Sequence, residues 1–408
     1  MLLKKDIINK LVEEYLKLLN STRNRRLKSY WIEKPNSFGG NMQRGDEPKK
    51  YKETGSIPII VNPVEAIYAH LFNYSLKDYY SNPDLYLEMF LKQRITQFTI
   101  FMDDSPLRKE IPISMGTYYE MSIFGAETIF NDTQAPMAKF NLVIKDENDL
   151  EKFENINFDK AGLVPLAIKF YDTISNYLEG TELKVAFPSF NRGPFGVLCT
   201  LMGYDKTLTN MMDNPDFIKH ALKLINRVSI SYNTWIRKNF NTEFAPKQLI
   251  NDDVNCPSIS PHIYKNIIFP IEKELEVSHE RIAYWHSCGN CNDLLTIIKN
   301  LRIDVINVSA VGDLNKYTVE FKNNAAYEIC VHPINDVLNT NEIGMSKKID
   351  SIISICDKNK IDAYCIIASA LEGTGKNNLL KDIKHIFDWI NISRNKINNY
   401  IKHKEINE

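Results

Sequence analysis

Residues 281–331 read RIAYWHSCGNCNDLLTIIKNLRIDVINVSAVGDLNKYTVEFKNNAAYEICV. Three short runs inside this stretch, Arg281–His286, Val305–Ser309 and Tyr327–Val331, are rich in β-branched and aromatic residues, and a helical pattern separates each from the next. The same unit recurs outward, at Leu183–Ser189 and Gln248–Asp252 before it and at Ala363–Ser369 after it. The six runs start 65, 33, 24, 22 and 36 residues apart, room each time for a strand, a helix and two turns. The helical stretches carry start signals: Asp213-Asn214-Pro215 precedes the apolar positions Phe217, Ala221, Leu222 and Leu224, and Ser258-Ile259-Ser260-Pro261 opens the next. Consecutive strand–helix units predict a parallel sheet, and the near-continuous apolar character of the strands predicts cover on both faces.

An open doubly wound sheet and a closed barrel both satisfy that alternation. The open sheet calls for a Gly-rich turn after an early strand, and Gly373-Thr374-Gly375-Lys376 has neither the phosphate-loop nor the dinucleotide spacing. The fold expected is therefore α/β, a (β/α)8 TIM barrel over residues 96–408 with its first strands within Ile95–Gly125, preceded by an N-terminal helical extension and loop over 1–95. In that extension Ile7, Ile8, Leu11, Val12, Tyr15, Leu16 and Leu19 mark one helix face. The basic cluster Arg23–Lys28 reads as a solvated helix end, and Tyr30–Lys52, with its Gly and Pro residues, as a long loop of the kind that forms lids or stays disordered.

Of 408 residues, 44% are hydrophobic and 25% charged, and 50 basic side chains meet 51 acidic ones. A net charge of −1 removes the electrostatic basis for general nucleic-acid binding. The longest apolar stretches, Ile57–Val61 and Cys365–Leu371, are strand-sized and far short of the roughly 20 residues of a membrane span. Lys4, Lys5 and Asp6 interrupt the start, which lacks a secretory cleavage pattern, so the expected location is cytoplasmic. Seven cysteines, an odd number in a long chain, point to reduced thiols rather than a disulfide framework.

A barrel builds its active site at the C-terminal ends of its strands. The polar residues there are Ser189, Asn191 and Arg192; Asp252 and Asp253; His286 and Cys288; Ser309; Cys330 and His332; and Cys365 and Ser369. His286 and Cys288, two apart at a strand end, can turn imidazole and thiolate to one metal ion. Catalytic zinc takes three protein ligands and keeps a fourth position open. The third ligand is expected from another strand, with Cys365 the first candidate and Cys330 in reserve. The pair Cys288/Cys291 also has redox-motif spacing, but no second such pair exists to make a zinc ribbon, and it lies late in a large domain rather than after a first strand. Asp252 and Asp253 suit orientation of a metal-bound histidine or general acid–base work, with one of the two facing the mouth, or else a helix cap. Arg192, in the turn Phe190-Asn191-Arg192-Gly193-Pro194-Phe195, can grip a substrate carboxylate or phosphate, or tie down its loop; Asn191 and Ser309 stand beside it as substrate-binding candidates.

Several ordered segments give the chain a family likeness: Gly125-Ala126-Glu127; the 190–195 turn with Met202-Gly203 and Asp213-Asn214-Pro215; Asp252-Asp253 with Ile259-Ser260-Pro261 and Phe269-Pro270; and His286-Ser287-Cys288-Gly289-Asn290 with Leu294-Leu295. From about Asp103 to Ile392 the sequence resembles the uroporphyrinogen decarboxylase superfamily, and within it the zinc-dependent methylcobamide:thiol (coenzyme M type) methyltransferases. The resemblance implies a (β/α)8 barrel and an H-x-C metal pair, here His286 and Cys288, with a late cysteine that falls by position on Cys365. That cysteine departs from the family's Gly-Cys pattern, since Tyr364 and Ile366 flank it. The resemblance also implies Zn2+, a small-molecule thiol or methylated substrate, and a methylcorrinoid supplied by a partner corrinoid protein, with transfer in either direction; this fold often forms a homodimer. The decarboxylases carry an N-terminal Arg signature, and the comparable 36–52 region here has Arg44 but not that signature. The alternatives are a metal-free decarboxylase-like lyase, which requires basic residues around the barrel mouth, and a non-catalytic barrel that binds a corrinoid or partner.

Overall fold

A computed structural model describes residues 2–32, 44–139, 142–240, 247–373 and 378–407. Its strands are β1 (Ile59–Pro63), β2 (Glu110–Pro112), β3 (Lys184–Ala186), β4 (Lys247–Ile250), β5 (Ile282–His286), β6 (Ile303–Val308), β7 (Ala326–Val331) and β8 (Tyr364–Leu371). A further small antiparallel ribbon pairs Thr128–Ile129 with Met137–Ala138. The helices used below are α1 (Leu2–Leu19), α2 (Thr22–Lys28), α3 (Pro215–Asn239), α4 (Phe269–Ser278) and α5 (Leu379–Asn407). All six strands expected from the sequence are present, each within a few residues of its expected bounds. The helix start at Asp213-Asn214-Pro215 works as expected: the Asn214 side chain accepts from the backbone N–H of Phe217, and α3 follows.

Six strands form one parallel sheet in the order β1-β8-β7-β6-β5-β4, and β2 and β3 form a separate parallel pair. The pair reaches the sheet at two places. Beyond β3 a single parallel bridge joins Arg192 to Ile250, with Ile250 N donating to Asn191 O at 3.0 Å and Gly193 N to Ile250 O at 2.8 Å. Ahead of β2, Asp104 N donates to Ile59 O at 2.9 Å, and the carboxylates of Asp103 and Asp104 accept from Val61 N and Ile59 N on β1. Among the described residues the strand ladder itself does not run through all eight strands as a ring. Every residue of β1 and β5 is buried, as cover on both faces requires.

The first strand differs from expectation. The sequence places it within Ile95–Gly125, but β1 lies at Ile59–Pro63 and pairs with β8. Residues 59–63, assigned above to the extension, therefore belong to the sheet. Pro63 hides the signal, because proline inside an apolar run argues against a strand. Here it stands at the strand's last position, where the pairing register shifts. Among the described residues no helix is long and apolar enough to cross a membrane.

Beneath β4 and β5, Glu272 on α4 is 1% exposed and accepts from Tyr264 Oη (2.7 Å), Asn251 Nδ2 (2.9 Å) and Trp285 Nε1 (3.2 Å). Asn251 and Trp285 adjoin Asp252 and His286, so this carboxyl fixes the two strand ends from behind. Burial pushes it up to about 7 from 4.5, against three donors that favour the ionised form. A carboxyl with a raised native pKa contributes stability that is complete below its unfolded value and lost as pH rises through the native one. Glu272→Gln cannot ionise. Its unfolding free energy, from urea titrations, should therefore gain on that of the wild type by about 3 kcal/mol between pH 4 and pH 8; a pH-independent difference would refute the assignment.

Candidate metal centre

His286 is the last residue of β5, and Asp252 follows β4 in the turn that begins at Asn251. Parallel pairing sets Ile250 opposite His286, and Asn251 N donates to His286 O at 2.7 Å, so the two strand ends are clamped together. Nε2 of His286 lies 3.1 Å from Asp252 Oδ1 and 3.1 Å from Cys288 Sγ. The donor atoms of Asp252, His286 and Cys288 all fall within 4.8 Å of one another.

The loop bearing Cys288 is held from three sides. Ser287 Oγ donates to Val254 O at 2.9 Å, Cys256 N to Asn290 O at 2.7 Å, and Ser309 Oγ to Gly289 O at 2.8 Å. A side chain at Gly289 would meet Cβ of Asn255 at 2.3 Å, so only glycine allows this approach. Cys288 itself is exposed, facing the open end of the strands.

Charges complete the arrangement. Arg192, 8% exposed, reaches Asp252 Oδ2 at 3.2 Å with Nη2 and Asp253 Oδ2 at 3.6 Å with Nη1. Burial acts to raise the Asp252 carboxyl, but His286 and Arg192 outweigh it and hold that carboxyl well below the usual carboxylate range. Burial and the Asp252 charge together push the Cys288 thiol up. A divalent cation among these atoms would reverse that last effect, because a coordinating thiol is deprotonated. The donor set fits zinc: one imidazole nitrogen, one thiolate sulfur and one carboxylate oxygen, three ligands that leave a fourth position free. Asp252 Oδ1 adds to the fit, being a buried oxygen with no aligned hydrogen bond among the described residues.

Arg44 closes the site from within. It extends to Glu328 Oε1 (Nε, 2.9 Å), Ser369 Oγ (Nη1, 3.0 Å), Tyr284 Oη (Nη2, 2.7 Å) and Nδ1 of His286 (Nη2, 3.0 Å). Guanidinium only donates, so Nδ1 accepts, and a neutral ring in this arrangement carries its proton on Nε2. Glu328, 1% exposed on β7, also accepts from Tyr284 Oη (2.5 Å), Asn307 Nδ2 (2.9 Å) and the backbone N–H of Gly45 (2.9 Å).

The expected residues are distributed as follows. His286 and Cys288 meet. Asp252 joins them as a donor, while Asp253 turns to Arg192. Both aspartates reach the same arginine because they lie in a turn past β4, where strand alternation no longer applies. Cys365 is not brought to the pair. It is the second residue of β8, paired with Glu328, and it packs with Trp31, Ile60 and Ile367 at 2% exposure. Strand β8 runs six residues beyond it to Leu371, and Ser369 occupies the end that faces the site. Cys330 accepts from Asn307 Nδ2 at 3.1 Å and lies outside the donor group, its thiol pushed up to about 11 by burial. Asn191 and Arg192 line a cavity of about 170 Å³ with Glu65, Tyr80 and Glu120, whereas Ser309 is engaged by Gly289. Of the Tyr30–Lys52 loop, residues 33–43 lie outside the described residues; Arg44 and Asp46 are buried.

Arg44, Tyr284 and Glu328 are the site residues that sequence reasoning missed. A glutamate inside the apolar run Ala326–Val331, and a tyrosine two residues before His286 on the same strand face, were the available signals. Removing one partner of a buried ion pair typically costs about 3–5 kcal/mol. Arg44→Met should lower the unfolding free energy by about that much; a loss below ~1 kcal/mol in denaturant titration would show that Glu328 is satisfied without it.

The family model for uroporphyrinogen decarboxylase (URO-D) matches residues 50–331, more than half of the chain. No curated protein matches the sequence. Among solved structures, a methyltransferase from Methanosarcina mazei superposes with a TM-score of 0.56 at 14% identity, over 81% of this chain and 93% of that one.

Proposed function

The chain belongs to the uroporphyrinogen decarboxylase (URO-D) family, and we propose that within it the protein is a zinc-dependent methyltransferase. It would move a methyl group between a corrinoid carried by a partner protein and a small thiol or methylated substrate. The observation that carries this reading is the convergence of His286, Cys288 and Asp252 at the C-terminal ends of neighbouring strands. The similarity to a protein named as a methyltransferase supports it. We read the eight parallel strands as a (β/α)8 barrel, with β2–β3 filling the space between β1 and β4. The bridge at Arg192–Ile250 and the Asp103/Asp104 contacts to β1 support that closure.

A metal-free decarboxylase fits less well, because it needs unpaired cations at the mouth. Arg44 is matched by Glu328, and Arg192 by Asp252 and Asp253.

Bound at this site, zinc supplies Lewis acidity that lowers the pKa of a thiol substrate or polarises the donor of the methyl group. The chain's own residues do the rest. His286, Cys288 and Asp252 hold the ion, and Arg192 fixes one Asp252 oxygen so that the other points inward. Ser287, Ser309 and Gly289 set the position of Cys288. The cavity beside Arg192 receives the small substrate. Its acidic side chains Glu65, raised by burial, and Glu120, with its one guanidinium engaged by aspartates, disfavour an anionic substrate and suit a neutral one such as a methylated amine or ether. Coordination through Nε2 places the ring proton on Nδ1, where Tyr284 Oη, 3.3 Å away, can accept it. Arg44 then has to withdraw from the ring.

Metal analysis of the purified protein tests the reading. About one zinc per chain is expected, lost in the His286→Ala/Cys288→Ala double variant. Asp252→Asn should weaken zinc binding by about tenfold or more in chelator competition, while Cys365→Ser leaves it unchanged. Loss of zinc in Cys365→Ser would restore the family's late cysteine as third ligand. A wild-type protein without zinc, or a double variant that keeps it, would end the methyltransferase assignment. Zinc without methyl transfer to or from any corrinoid protein would favour the non-catalytic barrel.

A further inference from the structure

At the opposite end of the sheet, where the chain enters β1, a cavity of about 230 Å³ is lined by Arg23 and Arg26 of α2, Arg394 of α5, the Gly55–Ile59 approach to β1, and Asp104. Two of these arginines share α2 and the third comes from the distant α5, and their charges are only partly matched. Arg23 donates to the carbonyl oxygens of Phe98 and Asp103, which carry no formal charge, and its guanidinium lies 4.4 Å from the Phe98 ring centre. Arg394 donates to Met102 O at 2.9 Å and to Asp104 Oδ1 at 3.1 Å. The Arg26 guanidinium is exposed and has no hydrogen-bond or ion-pair partner among the described residues.

One carboxylate thus stands among three guanidinium groups, and it is divided, since Asp104 Oδ2 accepts from Ile59 N at 2.9 Å. The buried Asp103 carboxylate behind the wall is spent on Val61 N, Gln97 and Ser105, so a net positive charge is left at a concave, largely polar site. The crowding is felt locally: burial, and the neighbouring Arg394 and Arg26 charges, lower the Arg23 guanidinium, although Asp103 and Asp104 act the other way. Arg23 is also fixed in place by its two carbonyl acceptors, so little side-chain freedom remains to be lost when a ligand binds. Planar, pre-positioned guanidinium groups of this kind suit phosphate oxygens, with which they form paired charge-assisted hydrogen bonds.

We propose that this cavity binds the phosphoryl group of a small molecule through Arg23, Arg26 and Arg394, at a site separate from the metal centre. A phosphate group offsets the excess positive charge of the three guanidinium groups. The solvated basic helix end read from Arg23–Lys28 thereby acquires a ligand, because α2 packs so that two of its arginines meet one from the C-terminal helix.

Calorimetric titration of the full-length protein with inorganic phosphate and with ADP, in low-salt buffer containing a chelator, tests this. Saturable binding of at least one of them is expected, weakened by added salt. Arg26→Gln should weaken it by about tenfold or more; Arg26 has no structural partner, so the fold is expected to survive. The His286→Ala/Cys288→Ala variant should bind as the wild type does, which keeps this site distinguishable from the metal centre. No saturation up to about 10 mM, equal binding by Arg26→Gln, or loss of binding in the metal-centre variant would each overturn the proposal.

Discussion

Glu328 is an ionisable side chain in the middle of a strand that is otherwise apolar, and at 1% exposure its charge has to be matched from inside the protein. Its matching organises the mouth of the fold. One oxygen takes Arg44 Nε, Tyr284 Oη and Asn307 Nδ2, and the other takes the backbone N–H of Gly45. The chain at Arg44–Gly45 must therefore fold in over the strand ends. Held there, Arg44 reaches Nδ1 of His286 and so sets which ring nitrogen is left to face Asp252 and Cys288. A compensation requirement on β7 thus reaches the hydrogen bonding of a histidine on β5.

The parallel α/β architecture was legible because it depends on periodicity. Six runs of apolar and β-branched residues, each followed by a helical pattern, needed no knowledge of contacts, and all six are strands. The pair His286/Cys288 was legible as an imidazole and a thiol two residues apart at a strand end, although the strand stops at His286 and the loop after it, not strand alternation, turns Cys288 to the ring. The failures concern relations between distant segments. Ile59–Pro63 becomes a strand only because β8 supplies its partner, and its proline argues the other way. Cys365 lay at the right sequence distance from Cys288, but distance along the chain does not say where in a strand a residue falls. It sits near the beginning of β8, and the end that faces the site carries Ser369. Asp252 carried a general orienting or acid–base reading; only the clamp of Asn251 to His286 shows that its oxygen meets His286 beside Cys288.

In the proposed site, Asp252 in place of a late cysteine as third donor would have a chemical consequence. Thiolates are soft, strongly donating ligands, and a site with two of them transfers more charge to the ion than one with a thiolate, an imidazole and a carboxylate. The set brought together here would leave the cation harder and more electrophilic. Arg192 strengthens that tendency by drawing on the second Asp252 oxygen at 3.2 Å, which reduces the charge the carboxylate can give. A harder ion is better suited to polarising an oxygen or nitrogen donor than to stabilising a soft thiolate. The acidic lining of the adjoining cavity tends the same way, since Glu65 and Glu120 disfavour an anionic substrate. Ligand set and pocket charge meet at Arg192, which touches Asp252 on one side and lines the cavity on the other. Under the proposed function, the two together favour a neutral methylated ether or amine as donor over transfer to an anionic thiol.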